Sequence, residues 1–342
     1  MHFGVFDHLD RNGLSLGHQY RDRLQLIEAY DRAGFYAYHL AEHHGTPLGL
    51  ASSPSVLLAA VAQRTRTLRF GPLVYPLCFY HPLRLVEEIC MLDNLSGGRF
   101  ELGVGKGVSP IELSFYGVGE EAVAVYEEAL EIVLKGLAND RLSFQGEHFS
   151  FDDVPMEMRP IQNPHPPLWY GVAKPERAAW TAARGMNVVM NGPSHSVREI
   201  ADRFREAWRA TPHAKEPLPK IGMSRHIVVA ASDDEARAIA RSGYRHWFDS
   251  LLHLWRAHNK QIPLNFPEDP DEAMKLGLCI AGTATSVRAQ LAEEIERSGI
   301  NYLLCRLAFG DLTVEQSLYS VLQMQHEIMP EFASLAREVR AA

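Results

Sequence analysis

The chain has 342 residues, 46% of them hydrophobic and 22% charged, with a formal charge of -8 and a pI near 6.1. That is the composition of a globular protein with a sizeable core, and with no Lys/Arg stripe to offset the acidic excess it argues against an electrostatic grip on nucleic acid. No apolar run approaches the ~18 residues of a membrane span, no leader-like segment precedes the first strand, and Cys78, Cys90, Cys279 and Cys305 form no C-x-x-C pair; a cytoplasmic protein acting on small molecules, with reduced thiols, is expected.

Phe3, Val5 and Phe6 open a β run, and Leu24, Ile27, Ala29 and Tyr30 then recur at helical spacing, with Gly34 as the stop. Phe35 to Leu40 is a second strand, and it runs out into Ala41-Glu42-His43-His44, the densest knot of titratable groups in the chain. Ser53-Pro54 reads as the cap and first residue of a helix through Ala62, and Thr67 to Tyr75 as a third strand. His81-Pro82 opens a helix carrying Leu85, Ile89 and Leu92 that Ser96-Gly97-Gly98 closes, with Asp93 and Arg99 placed to pair across that turn. Arg99 to Val104 is the fourth strand, ending in the glycine-alternating loop Gly103 to Gly107, and a helix follows over 119–136.

Between 140 and 167 the pattern changes to a small hairpin and a Pro-rich run, read as an insertion. Leu168 to Ala173, Met186 to Met190 and Ile221 to Ala230 are strands five to seven, with helices from Pro175 and around 197–210 between them. Ser232-Asp233-Asp234-Glu235 is a strong helix start. The stretch from 240 to about 280 is too long for a simple connection and has the character of a lid. Thr285 or Ser286 then caps a helix, Asn301 to Leu307 is the eighth strand, and Thr313 to Gln316 forms a capping box. Eight β-α units with little period-2 alternation predict a parallel sheet buried on both faces, the number that closes a (β/α)8 TIM barrel. A single domain over 1–342 with the two insertions is expected, an open doubly wound sheet with a second domain being the alternative.

The Gly103-Val104-Gly105-Lys106-Gly107 loop misses the dinucleotide fingerprint, because the residue three after Gly105 is Val108. Its small residues would instead let backbone N–H groups and the Lys106 ammonium approach an anion. His43 and His44 are adjacent rather than in the H-x-H spacing that shares one strand face, and only His39 stands at even spacing to His43, which weighs against a metal. In extended chain the two side chains point to opposite sides, so one can face a barrel mouth while the other turns away.

Glu42-His43-His44, His81-Pro82-Leu83-Arg84 with Glu87-Glu88, Leu92 to Phe100, Gly103 to Gly107 and the late stretch from Gly310 to Pro330 together resemble the bacterial luciferase-like flavin-dependent monooxygenases, nearly end to end. The resemblance implies a TIM barrel, usually a homodimer, that takes reduced FMN from a separate flavin reductase and uses O2 to oxidise a small organic substrate through a flavin hydroperoxide. It assigns catalysis to His43, with His44 in reserve, and the flavin to Glu42, to Leu73 and Val74 at a non-prolyl cis peptide, to Gly105 and Lys106, and to Val172, Ala173, Lys174 and Asn191. The chain departs from the pattern at Lys174-Pro175, where an acidic or small residue and a serine are usual, and at Val123-Ala124, where a second arginine is usual. Deazaflavin-dependent hydride transfer and a non-catalytic flavin-binding partner subunit are the alternatives, and the substrate itself is not legible.

Overall fold

The computed structural model describes residues 1–262 and 266–332. In chain order its strands and helices are β1 (His2–Asp7), α1 (Leu16–Ala33), β2 (Ala37–Leu40), α2 (Pro54–Arg64), β3 (Arg69–Pro72), β4 (Tyr75–Pro76), α3 (Pro82–Ser96), β5 (Leu102–Gly105), α4 (Pro110–Phe115), α5 (Ala122–Ala138), β6 (Arg141–Gln145), β7 (Ser150–Pro155), β8 (Leu168–Gly171), α6 (Glu176–Ala183), β9 (Asn187–Met190), α7 (Ser194–Arg209), β10 (Ile221–Val229), α8 (Asp233–Ala257), α9 (Pro270–Lys275), β11 (Cys279–Gly282), α10 (Ala284–Ser298), β12 (Tyr302–Arg306) and α11 (Val314–Gln323).

Parallel pairing runs β3-β2-β1-β12-β10-β9-β8-β5-β4, with β11 against the upper half of β10. The third strand expected over Thr67 to Tyr75 is in fact broken into β3 and β4 at a cis Leu73–Val74 peptide. Counting those halves as one strand, eight strands form the ring, and a bridge between Phe70 and Phe100 together with the β4–β5 pair closes it. The seam is tight: a Cβ on Gly71 would lie 1.7 Å from the Glu101 carbonyl oxygen, and one on Gly103 would lie 2.1 Å from that of Pro72. The strands are short, apolar and buried, β10 over all nine residues, because helices cover the barrel outside while Leu73, Trp169, Val189, Tyr302 and Leu304 fill its inside. Beneath that plug the buried Glu101 carboxylate accepts from Tyr36, Arg69 and the Trp169 indole.

The small hairpin expected after 140 is the antiparallel β6–β7 pair, and the Pro-rich run follows it. Other local expectations are corrected. The segment from 240 is no loose lid at its start, since α8 continues unbroken to Ala257; Pro263, Leu264 and Asn265 of that stretch lie outside the described residues. Thr283, not Thr285 or Ser286, caps α10, its hydroxyl accepting from the Ser286 N–H. Ser53 precedes Pro54 of α2 without a side-chain cap. Asp93 accepts from the backbone and side-chain N–H groups of Gln162, while Arg99 donates to the carbonyls of Leu68 and Ala62 and to Thr65, so the two do not pair. Among the described residues no helix is long and apolar enough to cross a membrane.

Candidate active site

The C-terminal ends of parallel strands open onto one rim, where backbone pairing stops and side chains are free to project. At the end of β2, Glu42 is buried, His44 Nε2 lies 2.9 Å from its Oε1, and the Tyr80 hydroxyl donates to its Oε2 at 2.6 Å. Burial raises the Glu42 acid above its ordinary value, and the bonds from His44 and Tyr80 oppose that rise. His44 Nδ1 meets the Tyr116 hydroxyl at 2.7 Å, so both its ring nitrogens are engaged within the protein. His44 thus acts as a strut between β2 and the residues after α4, its ring edge-on to Phe79 and Tyr116.

His43 turns the other way. Its Nδ1 is 3.2 Å from Glu112 Oε1, and the His44 backbone N–H donates to the same oxygen at 2.6 Å. Burial alone would raise the Glu112 acid, but these bonds overcome it and hold the group below the ordinary carboxylate value. An ionised carboxylate can only accept, which places the proton of His43 on Nδ1 and leaves Nε2 with no protein partner among the described residues. Glu112 sits in the first turn of α4, where the Ser109 hydroxyl accepts its N–H. A cavity of about 30 Å³ bounded by His43, Glu112 and Trp255 lies beside it.

Beyond β1, the His8 ring is 5.5 Å from that of His43, and the Trp247 indole N–H donates to His8 Nδ1 at 3.3 Å. Burial, then the charges of Arg306, His43 and His226, push His8 well below the ordinary histidine value, so it is a neutral wall. His226 on β10 packs against Trp247 and Phe309. Sequence reasoning missed His8, Glu112, His226 and Arg306. For Arg306 and His8 the available signal was a charged or imidazole side chain at the end of an otherwise apolar strand, and for His226 an imidazole within one; Glu112, in the short helix α4, had no such signal.

The residues expected along a flavin line the facing part of the rim. Leu73 is buried and Val74 half-buried on the barrel plug, and a Cβ on Gly105 would meet Val74 at 2.6 Å, so the glycine is needed for this approach. Lys106 is half-buried just past β5. Val172 is buried with its N–H on the Val189 carbonyl, whereas Ala173 and Lys174 are exposed, and Arg177 follows in α6 against Trp180. Asn191 is exposed after β9, its Oδ1 accepting from the Ser224 hydroxyl at 2.5 Å. Round the ring, the apolar shelf at Leu73–Val74, Lys106 after β5, Val172 after β8 and Asn191 after β9 follow in turn, an apolar face, a cation and an amide of the kinds that a flat ring system bearing a phosphate needs. His39 is fully buried under the site with Nε2 on the Tyr302 hydroxyl at 2.8 Å, so it is no metal partner for His43, and no group of three or more potential metal ligands occurs among the described residues.

Replacing Glu112 by glutamine is expected to lower stability at neutral pH by about 1–3 kcal/mol, through loss of charged hydrogen bonds. Because the folded acid titrates below its ordinary value of 4.5, its contribution is full above that value and fades as pH falls through the lower folded one. Urea midpoints of the two proteins should therefore converge in acid; a constant gap would remove this account.

A family model described as luciferase-like monooxygenase matches residues 1–302. The uncharacterized protein y4wF of Sinorhizobium fredii is 47% identical, the alignment covering 96% of each chain. The oxygenase component of a flavin-dependent trigonelline monooxygenase from Acinetobacter baylyi is 26% identical over 97% of this chain and 96% of its own. The oxygenating constituent of 3,6-diketocamphane monooxygenase from Pseudomonas putida, solved in complex with FMN, superposes with a TM-score of 0.81 at 18% identity, covering 96% of this chain and 98% of that one.

Proposed function

Because the chain belongs to the luciferase-like monooxygenase family, we propose that it is the oxygenase component of a two-component, FMN-dependent monooxygenase that oxidises a small organic molecule. The observation that carries this reading is His43: its Nδ1 is oriented by Glu112, its Nε2 is open, and it stands just past β2, the strand next to the one broken at the cis Leu73–Val74 shelf. The oxygenase-component description of the Acinetobacter relative supports the two-component form.

Reduced FMN, when bound, would supply the activation of O2 from which one oxygen atom reaches the substrate. The protein's part is to hold and shield it. Leu73, Val74 and Gly105 would carry the ring, Glu42 would stand beside it, and Val172 and Asn191 would border its far side. Lys106 and Lys174 would offset the phosphate charge, with Arg177 in place of the missing arginine. His43 Nε2 would accept a hydrogen bond or pass a proton at the reacting centre, while the neutral His8 and the Trp247 ring exclude water. The reductase would be a transient partner. Exposed Val56, Met91 and Leu95 on α2 and α3 supply an apolar face for the homodimer.

Anaerobic titration should show reduced FMN binding in preference to reduced deazaflavin. With a flavin reductase, NADH and a panel of organic substrates, oxygen uptake should exceed that of the reductase alone and match product formed. Uptake at the reductase blank for every substrate would overturn the monooxygenase reading, and preferential deazaflavin binding would replace it with hydride transfer.

A further inference from the structure

We infer that Arg306 is the anchor for the substrate, and that the substrate is an organic anion whose carboxylate, or a comparable planar oxyanion, is carried on a flat or short apolar body. The inference rests on the proposed placement of the flavin against β4 and β5.

Arg23, Arg225 and Arg306 are the arginines buried among the described residues. Arg23 pairs with Asp7 at 3.1 Å and Arg225 with Glu294 at 2.9 Å, as buried cations must if they are not to cost the fold several kcal/mol. Arg306, at 4% exposure, has no carboxylate within ion-pair distance among the described residues. Its Nε and Nη1 have no hydrogen-bond partner, and Nη2 makes a long 3.5 Å contact with Asn191. The neighbouring acids are already committed, Asp7 to Arg23 and Tyr38 and Asp10 to the Gly310 N–H. An arginine that stays cationic at neutral pH, with burial lowering it only to about 9, thus lacks a counter-charge.

Its surroundings define the rest of the ligand. The guanidinium lies 4.8 Å from the Phe6 ring and 5.3 Å from the Trp247 ring, so flat apolar faces flank it and would flank whatever it holds. His226, its register partner on β10, also has an unpartnered buried Nε2. Position in the ring separates this cation from the phosphate end: three strands (β1, β2 and the broken third) part β12 from β5 on one side, and three (β10, β9, β8) on the other. Lys106 therefore stands diametrically across the mouth, while His43, past β2, is midway, two strands from each, with its ring 5.5 Å from that of His8 beyond β1. A carboxylate on the fork would hold its attached carbon chain between the flavin shelf and His43.

The test uses the FMN-loaded protein and two probes, benzoate and its neutral counterpart benzamide, titrated by calorimetry. Benzoate should bind and benzamide bind at least about tenfold more weakly; Arg306→Gln should weaken benzoate by at least about tenfold and Arg306→Lys by less, with FMN affinity held within about twofold. Absence of benzoate binding at millimolar concentration, equal binding of the two probes, or unchanged benzoate affinity in Arg306→Gln would each overturn the inference. So would a loss confined to FMN affinity, which would assign the charge to the cofactor. Should Arg306→Gln fail to fold, the lysine variant carries the comparison through its loss of the bidentate fork. Wild-type FMN binding and oxygen uptake are read separately, so failure here leaves the proposed activity standing, and the reverse.

Discussion

Replacing His43 by alanine is expected to lower substrate oxidation by about 10²- to 10⁴-fold, the usual worth of a positioned proton-transfer group, while FMN affinity and the melting temperature change little. The side chain is partly exposed at the rim, hydrogen-bonds Glu112 through Nδ1 and leaves Nε2 without a protein partner among the described residues, so its removal opens no core cavity. Oxygen uptake should continue without matching product, appearing as hydrogen peroxide, because the FMN site is kept while the group that would pass a proton at the reacting centre is gone. His44→Ala provides the contrast. Both its ring nitrogens are engaged between Glu42 and Tyr116, so the expected loss is in stability and in the geometry of the loop. Turnover unchanged in His43→Ala would remove its catalytic role and revive a non-catalytic flavin-binding reading.

Gly71→Ala is expected to destabilise the fold by about 4 kcal/mol or more, or to prevent folding, which places it among the exceptional substitutions. Gly71 has an ordinary backbone conformation, so the reason is space: the added carbon would lie 1.7 Å from the Glu101 carbonyl oxygen, 2.7 Å from its carbon and 3.2 Å from its Cα. That neighbour is backbone at the point where the ring closes, and Glu101 also organises Tyr36, Arg69 and Trp169. Neither side can retreat without opening the seam. Denaturation followed by near- and far-ultraviolet circular dichroism measures the effect; a loss below about 1 kcal/mol would show the seam to be compliant.

The barrel was legible because its strands are apolar runs that end at glycines or turn residues, and the helices between them carry clear stops such as Gly34, Gly97 and Gly299. The interruption between β3 and β4 leaves no trace in hydrophobic pattern, since Leu73 and Val74 are as strand-like as their neighbours; only the resemblance suggested it. Helix α4 was missed because six residues are too few for a period, although Ser109-Pro110 repeats the start signal read at Ser53-Pro54, and Glu112 was missed with it. Lone polar residues in apolar strands carried the remaining signal: Arg306 after Tyr302 to Cys305, and His226 within β10. The segment from 240 was not legible as a helix because its length and prolines read as a long connection, whereas Trp247 and Trp255 belong to α8. The Asp93–Arg99 pair failed because opposite charges close in sequence found better backbone and amide partners farther away.

The seam between the third strand and β5 bears on how this protein could be changed. It closes backbone to backbone at Gly71 and Gly103, where any side chain would collide with the main chain of Glu101 or Pro72, and Gly105 beside them lies against the Val74 side chain. That sector of the mouth has no room for new functional groups and must remain as it is in any descendant or redesign. Variation in what the protein accepts is confined to the opposite arc, where β12, β1 and α8 present Arg306, Phe6, His8 and Trp247. A mutagenesis library aimed at altered specificity should therefore be drawn from that arc alone.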